Sequence, residues 1–98
     1  MIVVRNVFRL KFGMAAQGRD LMKEGLGIMA RSGMAGARVL TDMTGPFYTL
    51  VFEQSYDTLA AFDQAHQQIA ATPEWRAWYA RLVPLVESGF REIFQVVA

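Results

Sequence analysis

The stretch Phe47-Tyr48-Thr49-Leu50-Val51-Phe52-Glu53-Gln54 decides the fold class of this chain. Alternate positions put Phe47, Thr49, Val51 and Glu53 on one face and Tyr48, Leu50, Phe52 and Gln54 on the other. Both faces are substantially apolar, as expected of an inner strand covered on two sides. Pro46 suits the first residue of such a strand, and Met43-Thr44-Gly45-Pro46 reads as the turn that leads in from another strand over residues 37–42. Past Gln54, Asp57 is expected to cap a helix over residues 58–71, which buries Leu59, Phe62, His66 and Ile69 at helical spacing.

The same periods continue toward both ends. Residues 2–12 alternate as a first strand: Ile2, Val4, Asn6, Phe8, Leu10 and Phe12 share a largely apolar face, interrupted by one amide. Gly13 ends it. A helix is expected over residues 15–31 with Ala15, Met22, Leu26, Met29 and Ala30 as its apolar stripe and Leu21 at the edge. Gly18, Gly25 and Gly27 each weaken that helix by about 1 kcal/mol relative to alanine, so packing must hold it, and close approach to the sheet explains glycines on a buried side. Ser32-Gly33 and Gly36 bracket the return to the second strand. Thr72-Pro73 opens a third helix, Thr72 as N-cap and Pro73 at the first helical position, with Trp75, Trp78, Tyr79, Leu82 and Val86 along its stripe. Pro84 kinks or ends it. Ser88-Gly89 then breaks the chain before a last strand over residues 90–97, again apolar on two faces.

The resulting order is strand–helix–strand–strand–helix–helix–strand in 98 residues. It predicts one α+β domain over residues 1–98, a ferredoxin-like split β-α-β fold whose four-stranded antiparallel sheet carries its helices on one face. The other apolar face then needs a partner, and a homodimer through the sheet face is expected. Composition agrees: 53% of residues are hydrophobic and only 19% charged, more apolar surface than a domain this small hides by itself.

Ten Lys/Arg stand against nine Asp/Glu with no basic cluster, which leaves no footprint for nucleic acid. No cysteine is present, so thiolate nucleophiles, disulfides and Cys-ligated metals drop out. Arg5, Arg9 and Lys11 interrupt the apolar start, no run is long enough for a signal core or membrane span, and a cytoplasmic location is the expectation.

Three segments carry a family resemblance. Arg9-Leu10-Lys11-Phe12-Gly13 is similar to a strand-plus-"LKPG" ending, with Phe12 where the proline is expected. Glu53-Gln54-Ser55-Tyr56 leads to Leu59-Ala60-Ala61-Phe62, and Pro73-Glu74-Trp75 is followed by Trp78-Tyr79. In this order they resemble the dimeric α/β-barrel superfamily, in its small antibiotic-biosynthesis-monooxygenase and NIPSNAP kinds, over the whole chain. The resemblance implies two ferredoxin-like subunits that face their sheets together, and a ligand pocket between sheet and helices of each subunit. Asn6, Phe8, Tyr48, Phe62, His66, Trp75, Trp78 and Tyr79 would line it, a mix that suits a flat apolar or aromatic molecule.

His66 is the chain's one histidine, either a general base near neutral pH or a histidine satisfied by a backbone carbonyl or water. No second histidine or well-spaced carboxylate accompanies it, so no metal site is expected. Asn6 either orients a ligand carbonyl or closes a structural hydrogen bond. Trp75 and Trp78 have the spacing of core residues. Arg5 and Arg9, on the other face of the first strand, are expected to meet Glu53 or another carboxylate. Haem-degrading relatives use an asparagine on strand one, a tryptophan on the next crossover helix and a histidine on the one after. This chain has Asn6, Phe62 and Tyr79 there, one match in three, which ranks haem below the other readings. The leading expectation is a small-molecule-binding protein resembling cofactor-independent monooxygenases, acting on an aromatic or polyketide-like substrate with His66 as base and Asn6 and Tyr79 holding an oxyanion. The alternative is a non-catalytic binding or assembly module whose aromatics fill the pocket.

Overall fold

A computed structural model describes residues 1–34 and 36–98. Its elements are β1 (Ile2–Leu10), α1 (Ala15–Arg31), β2 (Arg38–Thr41), β3 (Thr49–Tyr56), α2 (Leu59–Ala70), α3 (Pro73–Leu82), a short 3-10 turn (Val83–Leu85) and β4 (Val86–Gln95). The sheet is antiparallel throughout with order β2-β3-β1-β4, a ferredoxin-like arrangement. The molecule measures 36 × 35 × 18 Å, and the short dimension holds one sheet and one layer of helices.

Register assigns the faces. Val4, Asn6 and Phe8 stand opposite Gln54, Phe52 and Leu50 on β3, and opposite Ile93, Arg91 and Gly89 on β4. This is the inner face: Val4 is buried on it, and Leu10, Leu50 and Phe52 form a core with Leu21, Met22, Ile28 and Met29 of α1 and with Ile69, Trp78 and Leu82 from the later helices. Val3, Val7, Leu40, Val51, Phe90 and Phe94 lie on the open face, where Phe90 and Phe94 are about half exposed.

Two buried glycines in α1 let other elements come close. A Cβ on Gly18 would overlap the Leu10 side chain, and one on Gly25 would sit 2.7 Å from Trp78 Cζ2. The first approach is to the sheet, as expected; the second is to α3. The indole of Trp78 also donates from Nε1 to the Leu21 carbonyl at 2.6 Å, so α1 holds this ring at face and edge. Arg81 clasps Glu24 through two 2.9 Å bonds, and Arg31 pairs with Glu74.

Several boundaries differ from the sequence expectation. β1 stops at Leu10, leaving Phe12 exposed in the turn. β3 starts at Thr49 because Tyr48 has φ 60°, a left-handed backbone that interrupts the extended run. Asp57 does not cap α2. Thr58 is the last extended residue, and its hydroxyl accepts the Ala61 N–H at 3.0 Å. Leu59 and His66 lie on exposed sides of α2, while Phe62 and Ile69 are buried. On α1, Leu21 and Ile28 belong to the core and Ala30 is exposed. Thr72 caps α3 as expected, accepting from Trp75 N–H while donating to the Ile69 carbonyl. Pro84 ends α3 in the 3-10 turn, and Val86 starts β4 rather than extending the helical stripe.

Ser88 and Gly89 lie within β4 instead of breaking the chain before it. Pairing jumps from Arg9–Ser88 to Leu10–Val86, a bulge that takes up the extra residue Glu87. A Cβ on Gly89 would stand 3.0 Å from the Val7 carbonyl oxygen, so the glycine serves a close strand contact.

Candidate ligand-binding site

The helical layer leaves part of the inner face bare. α1 and α3 pack as a pair over one side of the sheet, but β4 keeps Arg91 and Ile93 exposed on that face. Between β1, β3, β4 and the α2–α3 pair lies a cavity of about 620 Å³, within the range of small-molecule sites. Its buried walls include Val4, Phe52, Phe62, Ile69, Trp78 and Leu82; Asn6 and Trp75 are half-buried, and His66, Tyr79 and Arg91 stand exposed at its margin.

Of the eight residues expected to line a pocket, seven do: Asn6, Phe8, Phe62, His66, Trp75, Trp78 and Tyr79. Tyr48 does not. Its left-handed backbone sets it beyond the end of β1, where its carbonyl accepts the Leu10 N–H at 2.8 Å and its ring meets Phe12 edge-on at 5.0 Å. Trp75 stacks on Trp78 with ring centroids 4.4 Å apart, so Trp78 is core at one edge and cavity wall at another. These aromatics leave the void open. Tyr79, expected in the α3 stripe, is 52% exposed.

Arg91 is the residue the sequence reading did not single out. It sits opposite Asn6 in the β1–β4 register and donates from Nε to Asn6 Oδ1 at 2.7 Å. Its guanidinium carbon stands 5.1 Å from the centre of the Phe62 ring, a cation–π contact. The alternation of β4 contained the clue: counting from Phe90 and Phe94 on the open face, Arg91 falls on the inner face with Ile93. A cation on an inward strand face calls for a reason. Asn6 thus makes a side-chain hydrogen bond and faces the cavity as well.

Arg91 sets the electrostatics of the site. His66 is exposed by surface area yet partly desolvated at the cavity margin: that desolvation first, and then the nearby Arg91 charge, hold its imidazole below the ordinary pKa of 6.5, with Asp63 pulling the other way. His66 is accordingly a neutral acceptor near pH 7. Burial raises the Tyr56 phenol above its ordinary value, and Arg91 offsets part of this, so Tyr56 is neutral too. Phe62 lies between them, its ring 5.3 Å from Tyr56 and 5.6 Å from His66. The chemistry available is one neutral base, two cations in Arg76 and Arg91, two amides in Asn6 and Gln54, and phenols around an apolar floor. Among the described residues no three of His, Cys, Asp and Glu converge as a metal site, and no helix is long and apolar enough to cross a membrane.

The open face carries a different arrangement. Glu53 accepts from Arg38 of β2 and lies 3.1 Å from Arg5 Nε of β1, an ion pair without hydrogen-bond geometry, so Arg5 meets the expected carboxylate. Arg9 does not: its Nε is buried with no hydrogen-bond partner among the described residues.

No protein-family model and no curated protein matches this chain. Solved structures do. A NIPSNAP domain protein from Burkholderia xenovorans is 26% identical with a TM-score of 0.86, covering 100% of this chain and 96% of its own. A NIPSNAP family protein from Agrobacterium tumefaciens is 23% identical with a TM-score of 0.87, over 96% of this chain and 90% of its own. A proposed antibiotic biosynthesis monooxygenase from Nitrosomonas europaea is 14% identical with a TM-score of 0.76, and both chains are covered completely. The chain therefore has the ferredoxin-like fold of NIPSNAP domain and antibiotic biosynthesis monooxygenase-like proteins, in agreement with the resemblance carried by its strand-one and helix motifs.

Proposed function

We propose that this protein binds a flat, apolar, aromatic or polyketide-like molecule between its sheet and its α2–α3 layer, and oxygenates it without a cofactor. One observation carries the reading: a 620 Å³ cavity stays open among aromatic walls while a neutral histidine, an amide and a cation meet at it. A protein whose aromatics served packing alone would have closed that volume.

The reaction that suits these groups converts an acidic ring methylene into a ring carbonyl. His66 removes one methylene proton, and Asn6, Tyr79 and Arg91 hold the resulting enolate. The carbanion's electrons pass to dioxygen; one oxygen atom remains as the carbonyl, and the other leaves as water with the two methylene hydrogens. The protein supplies orientation, a base and charge stabilisation.

Anthrone, a tricyclic ketone with such a methylene, is the test substrate. Oxygen uptake above the buffer rate, one dioxygen per methylene and lost in His66→Ala, supports the enzyme. Uptake at the buffer rate with anthrone bound would favour a non-catalytic binding module. That second reading has its own support, because Asn6 Oδ1 is already engaged by Arg91.

The homodimer is part of this proposal. The open face offers Val7, Val51, Phe90 and Phe94, and it holds the Arg9 nitrogen that has no acceptor among the described residues. A second copy laid on this face would cover the first and could supply the second.

A further inference from the structure

We infer that the molecule taken up by the cavity is an anion, an aromatic carrying a carboxylate, sulfonate, phenolate or enolate, and that Arg91 selects it. The inference rests on reading the cavity as a ligand site and adds the class of ligand.

Charge accounting carries the argument. Arg91 is the arginine on the inner face of the sheet, and among the described residues no carboxylate pairs with it. Arg5, Arg31, Arg38 and Arg81 each have a glutamate, whereas Arg9, Arg19, Arg76 and Arg91 have none among the described residues; of these four, Arg76 and Arg91 border the cavity. Arg91 is held instead by neutral groups: Asn6 Oδ1 accepts from Nε at 2.7 Å, and the Phe62 ring lies 5.1 Å from the guanidinium carbon. The Nε bond and the ring contact engage one nitrogen and one face of the guanidinium, and among the described residues its two terminal nitrogens have no acceptor. Those nitrogens form the donor fork that matches a two-oxygen anion. The other polar groups at the cavity are the Asn6 and Gln54 amides, the Tyr79 hydroxyl, and Tyr56 and His66, both neutral near pH 7, so among the described residues Arg76 alone adds further charge at its wall and it is positive too. Arg76 spends its Nε on the Ala70 carbonyl at 3.1 Å, tying α3 to the end of α2. An apolar cavity with two cations and no anion at its wall favours an apolar ligand that brings the negative charge.

Two fluorescent probes with one framework separate the claims. Anilinonaphthalene sulfonate carries the anion, and N-phenylnaphthylamine is the same molecule without it. The wild type should bind the sulfonate at least about tenfold more tightly, the scale of a charge-assisted hydrogen bond weakened by partial exposure. Arg91→Met keeps an unbranched apolar arm and should remove that preference, leaving N-phenylnaphthylamine affinity within about threefold. Ring-proton shifts of His66, the chain's one histidine, report whether the sulfonate occupies this cavity and not the open sheet face. Equal affinity for both probes in the wild type, or a preference that survives Arg91→Met, would overturn the anion assignment and leave the cavity reading standing. Failure of both probes to bind would overturn the two together.

Discussion

Arg91 Nε donates to Asn6 Oδ1 at 2.7 Å across the β1–β4 register, joining an edge-strand cation to the amide inside the otherwise apolar face of β1. Asn6 is half-buried, but its partner is exposed and can turn to water if the amide is removed. Asn6→Leu should therefore change stability by less than about 1 kcal/mol, because no buried donor is stranded and the amide's desolvation cost disappears. Urea unfolding at fixed protein concentration checks this. A loss above about 2 kcal/mol would make Asn6 a structural residue.

Gly25 and Trp78 test how α1 meets α3. Alanine normally favours a helix by about 1 kcal/mol over glycine. Here the new Cβ would stand 2.7 Å from Cζ2 of a ring also fixed by its 2.6 Å bond to Leu21. Gly25→Ala should cost about 1–3 kcal/mol despite the gain in propensity. Gly27→Ala meets only the end of Arg31 at 3.3 Å and should be neutral or stabilising. Thermal unfolding of the two variants compares them; equal effects would contradict the packing described.

His66 gives the pH prediction. Its folded pKa is lower than its ordinary 6.5, through burial and then Arg91, so the unfolded chain binds the proton more readily. The contribution to stability is complete above about pH 6.5 and is lost as pH falls through the folded value. Arg91→Met removes one of the two causes and should raise the pKa toward the ordinary value. A single histidine makes the ring-proton titration unambiguous. A wild-type pKa above 6.5, or no change in Arg91→Met, would contradict the electrostatics of the site.

Val51 tests the dimer. It stands between Val7 and Leu40 on the open face. Sedimentation equilibrium should find dimers at micromolar concentration, and Val51→Glu should shift them to monomers or unfold the chain. Wild-type monomers at that concentration would remove the dimer from the account.

Much of the architecture was legible in the residues because period and capping are local. The alternation of β3, the span of α1 and the Thr72-Pro73 start of α3 all depend on neighbours a few positions away. What sequence did not reveal depends on geometry between distant segments. Both Asp57 and Thr58 have capping side chains, and Thr58 caps because it is the last extended residue before the helix. The place of Ser88-Gly89 inside β4 depends on a bulge and on the Val7 carbonyl. The exposure of His66 depends on how α2 docks on the sheet, which an apolar stripe does not encode. Arg91 was readable in principle from alternation, but its meaning required Asn6 opposite it. The family resemblance implies a pocket place for Tyr48, and its left-handed backbone sets it elsewhere.

The central claim is that the cavity between sheet and helices is a ligand site, and amide and side-chain NMR of the wild type titrated with anilinonaphthalene sulfonate tests it most directly. The account predicts one equivalent bound per chain, with shifts concentrated on Asn6, Phe62, His66, Trp75 and Arg91, and binding abolished when Ala70, a residue of the cavity wall at the end of α2, is replaced in Ala70→Trp. Shifts confined to Val7, Val51 and Phe94 on the open face, or unchanged binding in Ala70→Trp, would contradict it.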